Sequence, residues 1–536
     1  MLALCACFCM VMLDSTIVTV AIPTMLDRLD ANLNQVVWVN SVYLLANTVP
    51  LLLTGRLGDR YGPKRLLVVG LMLFTAASLW AGLSNSAGML ITARAVQGLG
   101  AAAMTPQTLS FISRLFPAAK RGVPIAVWGA VSGVATISGP VLGGLLTEHA
   151  GWQWIFLINV PIGLVSLAIA LLALPNWQPG RRLRFDVVGA LLCSTGLALI
   201  VFAVQNGQHY HWGTVLGPLS VPLVAAIGVA LLGVFGWRHL RGRFGGRDPL
   251  LPPALFRSTT FTCANLTHAA MGFAMTGMFL PLVLYLQTVL GLSPLRSATV
   301  AIPMAVLAAV SATIAGAVWP RVGARNLIMA GLAMLAAGVA FVAVQAGPDA
   351  DPAVLMPGLA VAGLGIGLVF SPLTSAATAL LTPAEIGAAS GVFNTSRQVG
   401  GVLGSAATGV LLQLGVAIAV PAAARQYAER LPYRMRGEFI GRVTEAANTA
   451  SQFSSTDPPL PPDLPKGSAE LVARIVGDVF HIGLTNAAKA SLVLPIIVLL
   501  LGIVSAAGIR VSRRDLVDKD VNMDVNRAVN SEGVAP

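Results

Sequence analysis

The sequence predicts an all-α polytopic membrane protein: two parallel six-helix halves with two helices inserted between them, fourteen transmembrane helices in all. Three observations carry this. The 536 residues are 56% hydrophobic and only 10% charged, with a mean hydropathy of +0.78, whereas soluble domains carry roughly 25% charged residues. Apolar runs of about 20 residues, each able to cross a ~30 Å hydrocarbon core, recur from end to end. A short pattern rich in glycine and arginine occurs twice, far apart in the chain.

In order, the spans read as 1–21, 36–54, 66–83, 88–112, 123–147, 154–174, 187–205, 215–237, 260–286, 297–319, 327–346, 353–380, 387–420 and 486–508. The first run lacks a basic leader and a small-residue cleavage site before Pro23, which argues against a signal peptide. Between the second and third spans lies Gly55-Arg56-Leu57-Gly58-Asp59-Arg60-Tyr61-Gly62-Pro63-Lys64-Arg65. Its three glycines and proline predict a compact charged turn.

The repeat is parallel. Gly55, Arg60, Gly62 and Lys64 are matched 261 positions later by Gly316, Arg321, Gly323 and Arg325, and Gly139 to Gly143 by Gly400 to Gly404. Gly98-Leu99-Gly100 is matched by Gly363-Leu364-Gly365. Units of 1–180 and 259–510 follow, with the inserted pair and its linker at 181–258 and a disordered tail at 511–536. Two parallel halves imply an interfacial cavity that opens alternately to each side.

The formal charge of +12 does not point to nucleic acid. Basic residues cluster in alternate short loops (Arg56, Arg60, Lys64, Arg65; Arg114, Lys120, Arg121; Arg181, Arg182, Arg184), while the opposite short loops hold only Arg28 and Arg296. The basic side is expected to be cytoplasmic, with both termini there and the plasma (inner) membrane as location. Trp38, Trp80, Trp154, Trp212, Trp237 and Trp319 fall near span ends, as an interfacial belt would. Residues 421–485 read as an outer loop around a proline-rich centre, with Arg425 to Ala447 either an amphipathic surface helix or partly ordered loop. Cys5, Cys7 and Cys9 lie in an apolar run with no His or acid beside them, and His209 to Trp212 suits an outer belt, so no metal site is expected.

Asp14 is the acid well inside a predicted span, where a charge costs at least ~2.5–3.5 kcal/mol. Arg94 in the fourth span is its natural partner, because arginine keeps its proton and must pair or meet water. Such a pair can switch, Asp14 ionised when the two meet and protonated when they part, or it can pin the two spans permanently. Gly133, Gly139, Pro140, Gly143 and Gly144 make the fifth span thin and suit a hinge or seal between the halves. Asn394, Arg397 and Gln398 form a polar cluster in the thirteenth span, either cavity lining or an anchor at its end. Tyr43 and Gln97 join them as cavity candidates, with His268, Tyr285 and Gln287 in the ninth span as further ones.

With these residues in view, the chain resembles the major facilitator superfamily, specifically its fourteen-spanner drug:proton antiporters. The resemblance rests on Gly55 to Arg65, on Leu13-Asp14-Ser15-Thr16-Ile17-Val18 through Pro23, on Arg94 with Gln97-Gly98-Leu99-Gly100, on Gly139 to Gly144, and on Gly151-Trp152-Gln153-Trp154 through Pro161. Three positions depart from the pattern: Thr19, Ala135 and Gln153. The resemblance implies that Asp14 and Arg94 couple protons and that Gly55, Gly58, Asp59, Arg60, Gly62, Lys64 and Arg65 form a conformational latch. It implies export, by alternating access, of small amphipathic or cationic compounds. The alternative cargo is an endogenous lipid, siderophore or metabolite. No enzyme activity and no cofactor beyond coupling protons are expected, since no nucleotide-binding glycine-lysine motif appears. A monomer in the bilayer is expected, an extracytoplasmic or lipid-handling partner being the alternative.

Overall fold

Apolar runs become helices because a segment crossing hydrocarbon must close its own backbone hydrogen bonds. The computed structural model describes residues 1–29, 33–116, 122–177, 186–207, 210, 212–242, 249, 251, 253–379, 381, 385–431, 433–449 and 469–511. The first half holds α1 (Leu2–Arg28), α2 (Leu33–Thr48), α3 (Leu51–Tyr61), α4 (Pro63–Gly82), α5 (Ala87–Leu115), α6 (Gly122–His149), α7 (Trp154–Leu157) and α8 (Asn159–Ala173). The insertion comprises α9 (Val187–Asn206), a small hairpin of β1 (Thr214–Leu216) and β2 (Leu219–Ser220), and α10 (Val221–Leu240). The second half follows as α11 (Pro253–Arg257), α12 (Thr259–Leu284), α13 (Pro294–Val300), α14 (Ile302–Val322), α15 (Ala324–Gln345), α16 (Met356–Ala379), α17 (Ile386–Ala428), α18 (Tyr433–Thr449) and α19 (Ala469–Ala506).

Among the described residues ten helices are long and apolar enough to cross a membrane. The other four expected spans fall on α1, on α2 with α3, on α5 and on α6, all helical. Residues 178–185, 451–468 and 512–536, which include Arg181, Arg182, Arg184, the proline-rich centre and the expected tail, lie outside the described residues.

The compact turn expected at Gly55 to Arg65 is not one. Pro50 breaks the second span, and α3 then runs through Gly55, Gly58 and Arg60 to Tyr61. The chain reverses on Gly62 alone, at φ 95° and ψ 136°, with Pro63 opening α4. That positive φ favours glycine, and Pro63 sits where its missing N–H costs nothing. Gly323, the repeat partner of Gly62, joins α14 to α15 at φ 91° and ψ 137°.

Glycine contacts repeat as well. A β-carbon on Gly98 would lie 2.6 Å from the carbonyl oxygen of Tyr43, and one on Gly363 would strike that of Met304, 261 residues after Tyr43. Gly100 approaches Gly70, and Gly365 approaches Gly331. Small residues let these helix pairs meet backbone to backbone, which is how helices associate in lipid.

The segment expected as a long outer loop is largely helical. α17 has 43 residues, about 65 Å of helix and twice a ~30 Å core. α19 starts at Ala469, well before residue 486. α18 is amphipathic, but Phe439, Val443 and Ala447 are buried in one cluster with Val420 and Ala424 of α17 and Val476 and Val479 of α19. Its apolar face is therefore covered by protein rather than laid on lipid. Trp80, Trp154, Trp212 and Trp237 are exposed, as a belt requires, whereas Trp319 is 2% exposed and belongs to the core.

The inserted helices are held to each other and to the seam between the halves. Asp186 caps α9 and pairs with Arg238 of α10 at 2.9 Å. Ala190 and Cys193 of α9 are buried in one apolar cluster with Leu52 of α3 and with Ile386, Ala389 and Val392 of α17.

Candidate functional site

Asp14 and Arg94 meet with no exposure at all, an ion pair inside the first half. Arg94 Nη1 donates to both Asp14 Oδ2 and Gln97 Oε1, the latter at 2.8 Å. Gln97 Nε2 donates to Asp14 Oδ1 and to Ser78 Oγ, each at 2.8 Å, and Asn159 Nδ2 donates to Asp14 Oδ1 at 3.2 Å. Three donors from α5 and α8 thus converge on the carboxylate, an arrangement suited to its ionised form. Arg94 Nε donates to the Val39 carbonyl, and the guanidinium lies 4.0 Å from the centre of the Tyr43 ring and 5.5 Å from that of Phe156. Those aromatic faces help to hold a cation away from water.

Tyr43 and Gln97 were expected in a cavity. Both are fully buried, and they belong to the charge cluster instead. Arginine needs more donors satisfied than one carboxylate supplies, and these two side chains are what lies beside it.

Gly139 and Gly143 face α1 rather than the seam. A β-carbon on Gly139 would lie 3.1 Å from the Ile17 nitrogen, and one on Gly143 2.7 Å from the Ile17 oxygen. They draw α6 against the helix that carries Asp14, and Gly144 is half-buried. The surroundings of Gly133 and Pro140 lie outside those described. Among the described α6 glycines, Gly129 meets the second half, at Phe370 of α16.

The latch residues divide into two groups. Asp59 Oδ2 accepts from the Ala388 N–H at 3.0 Å, at the start of α17 in the other half. Asp59 also pairs with Arg114 at 3.1 Å and lies 3.9 Å from Arg56, whose Nη2 donates to the Pro249 carbonyl in the linker after the insertion. Gly55 faces Gly387 and Gly391 of α17. These residues join the halves, and a carboxylate at a helix N-terminus suits both the free N–H groups and the dipole. Lys64 does something else. Its Nζ donates to the carbonyls of Leu171 and Leu174 at 2.8 and 2.7 Å, capping α8 within the first half. Gly58 meets Gln107, also within that half, Arg60 lies over its neighbour Tyr61, and Arg65 is exposed.

Asp59 lies outside the expected spans, and burial pushes its carboxyl up to about 6 against the pull of Arg114, Arg56 and the N–H groups of Ala388 and Gly387. The joined arrangement therefore binds a proton more tightly than a separated one, in which Asp59 would have its ordinary value. Its stability rises as pH falls through 6 towards 4, and above about 6 the full cost of burying the ion opposes it. Spin labels at the exposed Tyr61 and Val322 positions should show the separated population shrinking between pH 7 and pH 5. Asp59→Asn should flatten that profile; an unchanged slope would contradict the linkage.

Asn394 is buried and donates to its own helix at Ser390, while Arg397 reaches Met12 of α1 at 3.9 Å and Gln398 is half-buried. Of the three, Arg397 crosses the seam. Ser390 Oγ crosses too, donating to the Pro106 carbonyl at 2.9 Å. A run of rings follows the same seam: Phe8 stacks on Trp128 at 3.9 Å, Trp128 meets Phe370 at 5.7 Å, Phe370 meets His268 at 6.1 Å, and His268 stacks on Phe393 at 3.8 Å.

Sequence reasoning did not assign Arg114, Asn159, Ser78 or Gly387 to the site. Asn159, a lone amide where an apolar span begins, carried a readable signal. The others gave none, because their roles come from helices that pair only in three dimensions.

Like-built helical halves meeting along a seam define a multi-pass membrane transporter rather than an enzyme. The profile of the Major Facilitator Superfamily matches residues 4–405, and the chain belongs to that superfamily. It is 42% identical over 77% of its length to an uncharacterized transporter of this type from Mycobacterium tuberculosis, covering 70% of that protein. It is 34% identical over 75% of its length to the tetracenomycin C resistance and export protein of Streptomyces glaucescens, covering 73% of it. The puromycin resistance protein of Streptomyces alboniger is 37% identical over 74% of this chain and 78% of its own. The crystal structure of the human organic anion transporter MFSD10 superposes with a TM-score of 0.56 at 12% identity, over 93% of this chain and 99% of that one, a likeness of fold.

Proposed function

We propose that this chain is a proton-coupled exporter that moves small amphipathic or cationic compounds out of the cytoplasm by alternating access. One observation carries the reading: the Asp14–Arg94 pair is sealed from solvent inside a transporter half. Asp14 is the proton site and Arg94 its counter-charge. When α1 and α5 part, the carboxylate loses its donors, takes up a proton from the outer side and later releases it inward as the pair re-forms. Asp59 and Arg114, with Gly55 against Gly387, hold the cytoplasmic ends of the halves together while the outer side is reached.

The driving force suffices. A 100 mV potential supplies ~2.3 kcal/mol per charge and one pH unit ~1.4 kcal/mol, which together sustain a gradient of several hundred-fold for a neutral cargo. Relatives named for resistance to tetracenomycin C and puromycin support a drug as cargo. Everted vesicles with an acidified lumen, carrying a pH-responsive dye, test the reading. A transported drug added outside should draw protons from the lumen and restore dye fluorescence. Drug uptake with the proton gradient untouched would refute the coupling.

A further inference from the structure

His268 is a buried side chain that the proton pathway leaves unused. It is 2% exposed on α12, between Phe393 of α17 and Phe370 of α16. Its Nδ1 lies 3.1 Å from the Phe393 carbonyl oxygen. A carbonyl only accepts, so Nδ1 carries the hydrogen, and in the neutral ring Nε2 is left as an acceptor. Among the described residues Nε2 has no hydrogen-bond partner. Buried acceptors are normally satisfied, and an unsatisfied one asks for an explanation.

The surroundings supply one. On the first half, Trp128 is held by a hydrogen bond from its Nε1 to Thr108 Oγ1 at 3.2 Å and by the stacked Phe8 ring. Beside it, Gly129 leaves a flat hollow: a β-carbon there would lie 2.9 Å from Phe370 Cε1 and 3.2 Å from Cγ. Phe370 of the second half fills that hollow. The contact has the outline of a ring and lies on the seam, so a separation of the halves would withdraw the Phe370 ring from Gly129.

We propose that this seat, formed by Trp128 and Gly129 on one side and by Phe370, His268 and Phe393 on the other, binds a planar aromatic compound carrying a hydrogen-bond donor. The aromatic system takes the place of the Phe370 ring over Gly129 and against Trp128. Its phenol, aryl amine or amide N–H donates to His268 Nε2. The proposal rests on the export reading for its biological sense, since it names the class of cargo. It makes a separate claim about binding.

The test uses purified full-length protein and two probes, 2-hydroxyanthracene and 2-methoxyanthracene, in the second of which a methyl group replaces the donor hydrogen. Quenching of tryptophan fluorescence reports binding, with Trp128→Phe identifying the signal from this seat. The wild type should bind the hydroxyl probe about five-fold more tightly than the methoxy probe, the scale of one net hydrogen bond. His268→Phe keeps the stack and should bind both probes with the methoxy affinity, which also shows that the variant is folded. His268→Gln offers an acceptor again and should restore part of the preference. Equal affinities in the wild type, a preference that survives His268→Phe, or quenching unchanged by Trp128→Phe would overturn the site. None of these outcomes bears on drug-driven proton release in vesicles, so failure here and failure of the export reading are told apart.

Discussion

Removing one partner of the buried Asp14–Arg94 pair should destabilise the protein by about 3–5 kcal/mol, and removing both should cost less than either single change. In Asp14→Leu, Arg94 keeps the Val39 carbonyl, Gln97 Oε1 and the Tyr43 and Phe156 faces but no negative charge, which leaves a cation uncompensated in a dry interior. In Arg94→Met, Asp14 keeps two amide donors, Gln97 and Asn159, so the loss should fall towards the lower end. The double variant carries no unpaired charge. Thermal melts of purified protein should therefore rank wild type, double, Arg94→Met and Asp14→Leu in order of falling stability. Export should be absent from all three variants. A double variant no more stable than the worse single one would mean that the residues do not act as a pair.

Gly55→Val should break the seal between the halves. A β-carbon there would lie 2.6 Å from the Gly387 carbonyl oxygen and 3.2 Å from the Gly391 α-carbon. Both are backbone atoms, so no side chain can swing aside. Overpacking of this kind costs about 1–3 kcal/mol, a shift of roughly five- to 150-fold away from the joined arrangement. Labels at Tyr61 and Val322 should move apart, and export should fall by a similar factor. Lys64→Met is the control, because Lys64 caps α8 within one half. It should leave the label distance unchanged. An unaltered distance in Gly55→Val would remove Gly55 from the seam.

Much of this could be read from the chain before any coordinates. An acid at Asp14 and an arginine at Arg94, each alone in an apolar run, had to find each other, because neither is tolerated singly in hydrocarbon. The repeat between Gly62 and Gly323 was legible as a spacing, and it returns as two reversals with nearly equal backbone angles. What escaped depends on which faces pack. Uniformly apolar helices carry no stripe to show their direction, so Tyr43 and Gln97 could not be told from cavity residues, nor could Gly139 be placed against α1. Lys64 looked like part of one charged cluster because its neighbours in sequence are charged. Its partners are carbonyls more than 100 residues away, and sequence proximity does not reveal a cap on another helix. The extent of α17 was hidden because a polar helix beyond the membrane reads as loop until its packing partners are known.

Whether Asp14 carries the coupled proton is decided by the vesicle assay when wild type and Asp14→Asn are compared at equal expression. Asparagine keeps the size of the side chain and an acceptor for Arg94 but cannot hold a titratable proton. Wild-type vesicles should release luminal protons when a transported drug is added, and Asp14→Asn vesicles should release none while still binding that drug. Drug-driven proton release of wild-type size from Asp14→Asn would contradict the account.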